Sequence, residues 1–306
     1  MEMLSSSRRS FNRTWARMSP LMDLVVSASM QVGEHVLKDE TNIQSTARLR
    51  SIADIGCDHG LLSLSLASMA WSASQSLDVG TYRSDISSNA LSSAILSLDK
   101  VNESLSRSAI SDTSNKEDID ELGSIKLPID FRVGNGLITL EPGEADGVIL
   151  AGMGVHTMIE ILTGSNALDV LGTNYLFLQP TNSRPRHLLL LYDALQNDGH
   201  QWELRDENIV FLGGRWYINS YFKRRQACKT ATTHYLGDFL SKDDIISRAA
   251  YESYVTHHIN WLRQDYSSKA QLEIDDERWL NHVCKCNANA GWRDDCEWIR
   301  SNKIYK

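Results

Sequence analysis

The first sustained periodicity in the chain lies over residues 14–40. There Trp15, Met18, Met22, Val25, Val26, Met30 and Val36 form an apolar stripe at helical spacing, the kind that packs against a core. From Arg50 the pattern changes, and short apolar runs of strand length alternate with helix-length segments. That alternation is the signature of βαβ units and a mostly parallel sheet. The runs predict strands over Ser51–Ile55, Gly80–Ser84, Ile129–Val133, Gly147–Ala151, Tyr175–Leu178, Trp202–Val210 and Trp216–Phe222. Between the last two stands Leu212-Gly213-Gly214-Arg215. A glycine pair there suits a tight hairpin, so the seventh strand is expected to run antiparallel to the sixth. Residues 102–126, rich in Ser, Asp, Asn and Glu, are expected to form a flexible insertion before the third strand. After Lys223-Arg224-Arg225 the strand pattern stops, and Tyr235–Ser267 reads as one or two amphipathic helices.

These elements predict an α/β chain in three parts: an N-terminal arm and helix over 1–46, a sheet domain over 47–225 and a C-terminal helical region over 226–306. Five parallel strands closed by a hairpin are the ending of Rossmann-like class I methyltransferases, an ending that nicotinamide-binding domains lack. The expected fold class is therefore a seven-stranded, mostly parallel sheet with an antiparallel last strand. Composition narrows the partners. No apolar stretch approaches the ~20 residues of a membrane helix, so no membrane partner is expected. The net charge of −8 gives no overall attraction to nucleic acid, so RNA contact has to come from local basic clusters. Five scattered cysteines, an odd number, point to a reducing compartment rather than a disulfide framework. The stretch from Ser5 to Arg17 is rich in Ser and Arg and free of acid. It suits a transit peptide and a basic arm equally, giving a cytoplasmic location, or a mitochondrial or plastid one if the stretch is a transit peptide.

The most informative stretch is Ser51-Ile52-Ala53-Asp54-Ile55-Gly56-Cys57-Asp58-His59-Gly60. An apolar strand delivers a carboxylate and a glycine into a turn, and Gly60 opens an apolar helix. Such a turn lets a nucleoside-bearing cofactor lie at the carboxyl edge of the sheet, with Asp54 or Asp58 receiving an amino group. The same residues can also simply terminate a strand. Asp85, ending the second strand, is placed to accept hydrogen bonds from ribose hydroxyls, or else to cap the next helix. After the third strand, Asn135 and Gly136 either present an amide to an adenine edge or make an ordinary turn. Gly152, Met153 and Gly154, ending the fourth strand, leave room for a planar acceptor beside a transferring group. Gln179 and Pro180, ending the fifth, either hold a base edge or form a proline-bound loop.

These strings carry a resemblance. IADIGCDHGLLSLSLA, FRVGNGLITLEPGEADGVILAGMGVHTMIEIL and LFLQPTNS, followed by the ENIVFLGGRWY hairpin, resemble the bacterial tRNA (adenine-22-N1)-methyltransferases of the TrmK type over about residues 47–225. The resemblance implies S-adenosylmethionine as cofactor and N1 of a tRNA adenine as acceptor. It carries Asp54, Gly56, Asp58, His59, Asp85, Gly152, Met153, Gly154, Gln179 and Pro180 across by position. The chain departs from the pattern at Asn135 (usually Asp), Val155 (usually Gly) and Thr181 (usually Asn). The expected cofactor set is thus Asp54, Gly56, Asp58, Gly60, Asp85, Asn135 and Gly136. The expected catalytic set is Asp58, His59, Gly152, Met153, Gly154, Gln179 and Pro180, with Asp58 near the nascent cation and His59 orienting it or the base.

Two basic clusters, Arg184 with Arg186 and Lys223-Arg224-Arg225, suit phosphate contact, and surface cations are as often merely solvated. His282, Cys284, Cys286 and Cys296 fit no strong zinc spacing, so no metal is expected. Two other readings stay open from sequence: a methyltransferase of the same fold acting on another RNA or a small molecule, and a catalytically silent RNA-binding homologue.

Overall fold

A computed structural model describes residues 14–29, 49–56, 60–72, 80–85, 88–112, 126–164, 167–196, 202–225, 245–265 and 273–286. The helices are α1 (residues 14–29), α2 (Leu61–Ser72), α3 (Ser88–Asp112), α4 (Val155–Thr163), α5 (Ala167–Leu171), α6 (Pro185–Gln196), α7 (Ile245–Asp265) and α8 (Ile274–Cys286). The strands are β1 (Ser51–Ile55), β2 (Gly80–Asp85), β3 (Ile129–Val133), β4 (Gly147–Met153), β5 (Tyr175–Pro180), β6 (Trp202–Leu212) and β7 (Arg215–Arg224). They form a seven-stranded sheet in the order β3-β2-β1-β4-β5-β7-β6. This is the Rossmann-like methyltransferase arrangement expected from the alternation. No described helix is long and apolar enough to cross a membrane.

The chain divides into two units. The first comprises Met1–Gly152 with Ile161–Leu178, the second Met153–Glu160 with Gln179–Lys306. In the first unit, β1 pairs in parallel with β2 and with β4, and β2 with β3, so that Ile52 faces both Thr81 and Gly147 across the ladder. Ile52–Ile55, Gly147–Leu150 and Tyr175–Leu178 are buried without alternation. Such runs mark strands covered on both faces, as parallel strands are. α1 adds Met18, Leu21, Met22, Val25 and Ala28 to this core, at helical spacing. The amino edge of the sheet is tied at Asp146, whose carboxylate accepts from Arg50 N at 2.9 Å and whose carbonyl accepts from Asn174 N at 2.8 Å.

In the second unit, β6 and β7 pair antiparallel from Leu212↔Arg215 out to Trp202↔Arg224, with a bulge between Leu204 and Asp206. The two-residue turn, Gly213 at φ +60 and Gly214 at φ +78, is the left-handed pair that matches strand twist. α7 buries Tyr251, Tyr254, Val255, His258, Ile259 and Leu262, and α8 buries Trp279, Leu280 and Val283, each an i, i+3, i+4 stripe. Tyr254 Oη donates to the Ser183 carbonyl at 2.5 Å, His258 and Trp279 meet edge to face at 6.2 Å, and Arg278 pairs with Asp193 at 2.7 Å.

The structure departs from the sequence reading in several places. The first half of the supposed insertion over 102–126 is helix, because α3 continues to Asp112. Val101, Leu98 and Leu105 lie half-buried, while Glu103, Ser104 and Arg107 are exposed, so the charged residues of this stretch occupy the outer face. Asn102 Oδ1 accepts from Leu127 N at 3.0 Å and anchors the helix to the approach of β3. Residues 113–125 lie outside the described residues, as do 30–40 of the first predicted helix and 235–244 and 266–267 of the helical stretch expected over Tyr235–Ser267. His282, Cys284 and Cys286 lie on helix α8, and no metal-ligating cluster occurs among the described residues.

Candidate active site

The carboxyl ends of β1, β2 and β3 are aligned by register: Ile55 sits opposite Ser84, and Asp85 opposite Val133. This places the Gly56 turn, Asp85 and the Gly134-Asn135 turn along one sheet edge. Asp54, only 3% exposed, accepts a hydrogen bond from Ser63 Oγ at 2.5 Å, so the start of α2 fixes the carboxylate. α2 begins where Gly60 O accepts from Leu64 N at 3.0 Å. Gly56, at φ +74, carries the backbone out of the strand. A cavity of about 130 Å³ opens here, lined by Asp54, Gly56, Leu61 and Leu62, by Ala151 and Gly152 of β4, and by Thr14, Arg17 and Met18 of α1. Whole-ligand pockets run to roughly 300–1,000 Å³, so this cavity has the size of one part of such a pocket.

The β3–β4 connection is held by Arg132, whose guanidinium binds Glu144 with both nitrogens and donates to the Thr139 carbonyl at 2.7 Å. The hydrogen bond from Arg132 holds the Glu144 carboxyl below its ordinary range against the opposing effect of burial. This brace supports the turn carrying Asn135 and Gly136. The side chain of Asn135 is exposed and makes no cap hydrogen bond to the short helix Gly136–Thr139.

In the second unit, the ends of β4 and β5 are joined by Thr181 N donating to the Met153 carbonyl at 2.9 Å. Gly154 O accepts from Met158 N and starts α4, and a side chain built on Gly154 would meet nothing within 4 Å. Gln179 differs from expectation. It is 1% exposed, and its Nε2 donates to Asn219 Oδ1 at 2.6 Å, with Asn219 Nδ2 donating on to Asn208 at 2.5 Å. Its Nε2 thus belongs to a buried side-chain hydrogen-bond chain that runs through Asn219 to Asn208. Pro180 is buried as well.

Arg184 and Arg186 lie at the start of α6, where Pro185 occupies the first helical position and the Arg184 carbonyl accepts from His187 N and Leu188 N. Arg184 stacks over Trp261 at 4.8 Å, whereas Arg186 is paired with Glu273 at 2.8 Å. His187 is depressed from its ordinary pKa by burial first and then by Arg186 and Arg184. Arg224 lies over Trp202 at 4.9 Å, and Lys223 and Arg225 are half-buried.

Asp58 and His59 lie outside the described residues, and of Asp85 only the backbone is described. The sequence reading missed Ser63 and the contribution of α1. A signal for the second was present, since Arg17 falls on the helix face shared by Thr14, Met18 and Leu21, a position where a purely structural stripe would carry an apolar residue.

A buried carboxylate fixed beside a glycine turn, at the carboxyl edge of a sheet with a terminal antiparallel hairpin, defines the class of Rossmann-like methyltransferases. The family model for a methyltransferase domain matches residues 66–218, half of the chain, and the chain belongs to that family. The matched stretch begins inside α2, so the Asp54–Gly56 strand end rests on its own geometry. Among solved structures, a candidate tRNA (m1A22) methyltransferase of Streptococcus pneumoniae is similar at 19% identity and a TM-score of 0.52, over 85% of this chain and 95% of that one. TrmK of M. capricolum in complex with S-adenosyl-homocysteine aligns at 17% identity and a TM-score of 0.49, over 83% of this chain and 92% of that one. The m1A22 tRNA methyltransferase TrmK of B. subtilis aligns at 19% and 0.44, over 82% and 88%. No curated protein matches the sequence.

Proposed function

We propose that this chain transfers a methyl group from S-adenosylmethionine to N1 of an adenine in tRNA. The observation that carries the reading is the nearly buried Asp54, fixed by Ser63 and lining a cavity with Gly56 and Gly152 at the carboxyl edge of the sheet. The residues fit the cofactor: Asp54 supplies an anion to an ammonium, the Gly56 turn allows close backbone approach, and Asn135 offers an exposed amide to an adenine edge. When bound, S-adenosylmethionine supplies an electrophilic methyl on a sulfonium, which the lone pair of adenine N1 can take without a strong base.

What the protein contributes is alignment and electrostatics. Asp54 and Asp85 hold the two ends of the donor, the first at its amino group and the second at its ribose hydroxyls. Met153 and Gly154 leave room at the end of β4 where a planar base enters, and Gly152 lines the donor cavity. Gln179 acts by holding the end of β5 rather than by touching the base, because its amide nitrogen is committed to Asn219. Asp58 places a carboxylate near the cation that forms on the base, and His59 orients it. N1 lies on the pairing edge, so the adenine leaves its stack before reaction. Arg184, Lys223, Arg224 and Arg225 contact the phosphates, with Arg186 beside them paired to Glu273. Arg184 and Arg186 stand at the positive end of α6, whose dipole adds to their charge.

The test is incubation of unmodified tRNA with the protein and S-adenosylmethionine, followed by mass spectrometry of the nucleosides. The expected product is 1-methyladenosine. A methylated nucleoside other than this, or methylation of small acceptors alone, overturns the adenine-N1 assignment. Absence of transfer to every acceptor despite cofactor binding identifies a silent homologue.

A further inference from the structure

We propose that Arg17 of α1 binds the carboxylate of the cofactor's methionine moiety, making the N-terminal helix a wall of the cofactor site and not only packing. The inference rests on the reading of the cavity as the S-adenosylmethionine site. Among the residues lining that cavity there is one anion, Asp54, and one cation, Arg17; Met18, Leu61 and Leu62 are apolar, and Thr14 adds a hydroxyl. An enclosed anion and cation with apolar walls match a zwitterion. The methionine end of the cofactor is one, with an ammonium and a carboxylate on the same carbon. Asp54 can only accept and so takes the ammonium, while a guanidinium presents paired donors in the fork geometry that carboxylates fill.

Sequence and packing hold Arg17 there. It lies half-buried on α1 between Thr14 and Leu21 on one face, next to Met18 at 7% exposure and Leu21 at 0%, so neighbouring core residues fix the helix that delivers it. The apolar stripe of α1 thereby does two things at once. It buries the helix against the core, and it brings one cation to the cavity that Asp54 also lines. If the Ser/Arg-rich stretch from Ser5 is removed after targeting, cleavage has to fall before Thr14 to leave this wall intact.

The experiment compares S-adenosylmethionine with its decarboxylated form, which lacks only the carboxylate, by calorimetry on the full chain. Wild-type protein is expected to prefer S-adenosylmethionine by about tenfold or more, the scale of one charge-assisted hydrogen bond. R17Q should bind the two alike, with affinity for the decarboxylated form unchanged from wild type. R17K, which keeps the charge and loses the fork, should retain part of the preference, and it serves equally if R17Q folds poorly. A preference undiminished in R17Q and R17K, or an equal weakening toward both ligands, overturns the assignment of Arg17. If wild-type protein binds neither ligand, the cofactor reading itself fails, and Arg17 loses its proposed role with it.

Discussion

Gly152 shows how backbone conformation alone restricts a site position. Its φ of +76 lies in the left-handed region, and a side chain built there would meet nothing within 4 Å. The penalty for substitution therefore comes from strain rather than collision, roughly 1–2 kcal/mol for an L residue and most for a β-branched one. Sequence reasoning assigns Gly152 to the acceptor side. The structure puts it in the same cavity as Asp54 and Arg17, so Gly152→Val is expected to weaken cofactor binding as well as thermal stability. Wild-type affinity together with an unchanged melting temperature would contradict the left-handed conformation of Gly152. Asp85 offers a second check at this scale. Asp85→Ala is expected to weaken cofactor binding by about 1–3 kcal/mol, as for a hydroxyl pair deprived of a charged acceptor. Unchanged affinity in a folded variant would take Asp85 out of the site.

At the scale of elements, α7 carries a titration that the fold opposes. His258 is buried, and its Nδ1 lies 2.9 Å from the Tyr254 carbonyl; since a carbonyl only accepts, Nδ1 carries the proton. Burial, with smaller contributions from His257 and Arg184 against that hydrogen bond, lowers its pKa from 6.5 to about 4. The unfolded chain therefore binds a proton more readily than the folded one. Stability is full above pH 6.5 and falls as pH drops from there to about 4, by at most about 3 kcal/mol from this group. His187 is depressed in the same sense by burial. Denaturant titrations from pH 7.5 to 4 should show the decline, and His258→Phe should flatten it; an unchanged slope in that variant would place the acid sensitivity elsewhere.

The strands at the centre were legible from sequence because parallel strands buried on both faces are continuous apolar runs, as β4 and β5 are. Their ends were not. Gly152-Met153 and Gln179-Pro180 drop out of the apolar pattern, yet they remain paired in the sheet. α3 was cut short for the converse reason, its polar residues being the outer face of a helix rather than the composition of a loop. The Asp54 turn could be read because a carboxylate and glycines in so short a span are rare chemistry. Ser63 could not, since its role depends on which way a helix face turns, and Arg17 shows in the sequence only as a cation within an apolar stripe.

At the scale of the whole molecule, an RNA substrate has to be reconciled with a net charge of −8. Local basic clusters have to supply the attraction, and one of their cations, Arg186, is paired with Glu273 at 2.8 Å. Replacing Arg184, Lys223, Arg224 and Arg225 together should lower affinity for every tRNA sequence alike, because cations on phosphates carry no base information. It should also make the logarithmic salt slope shallower by roughly 0.7–0.9 for each phosphate that is no longer neutralised. Cofactor affinity should not move. Glu273→Gln makes the opposite prediction, because it releases Arg186 from its partner and should steepen the slope by up to one neutralised phosphate, about 0.7–0.9. Binding isotherms from 50 to 300 mM salt, roughly the range over which counterion release dominates, measure both effects. A quadruple variant whose slope matches wild type while tRNA is still methylated would move the RNA path off these clusters. Arg8, Arg9 and Arg13 would then be the next cations to replace, since Arg17 is assigned to the cofactor cavity.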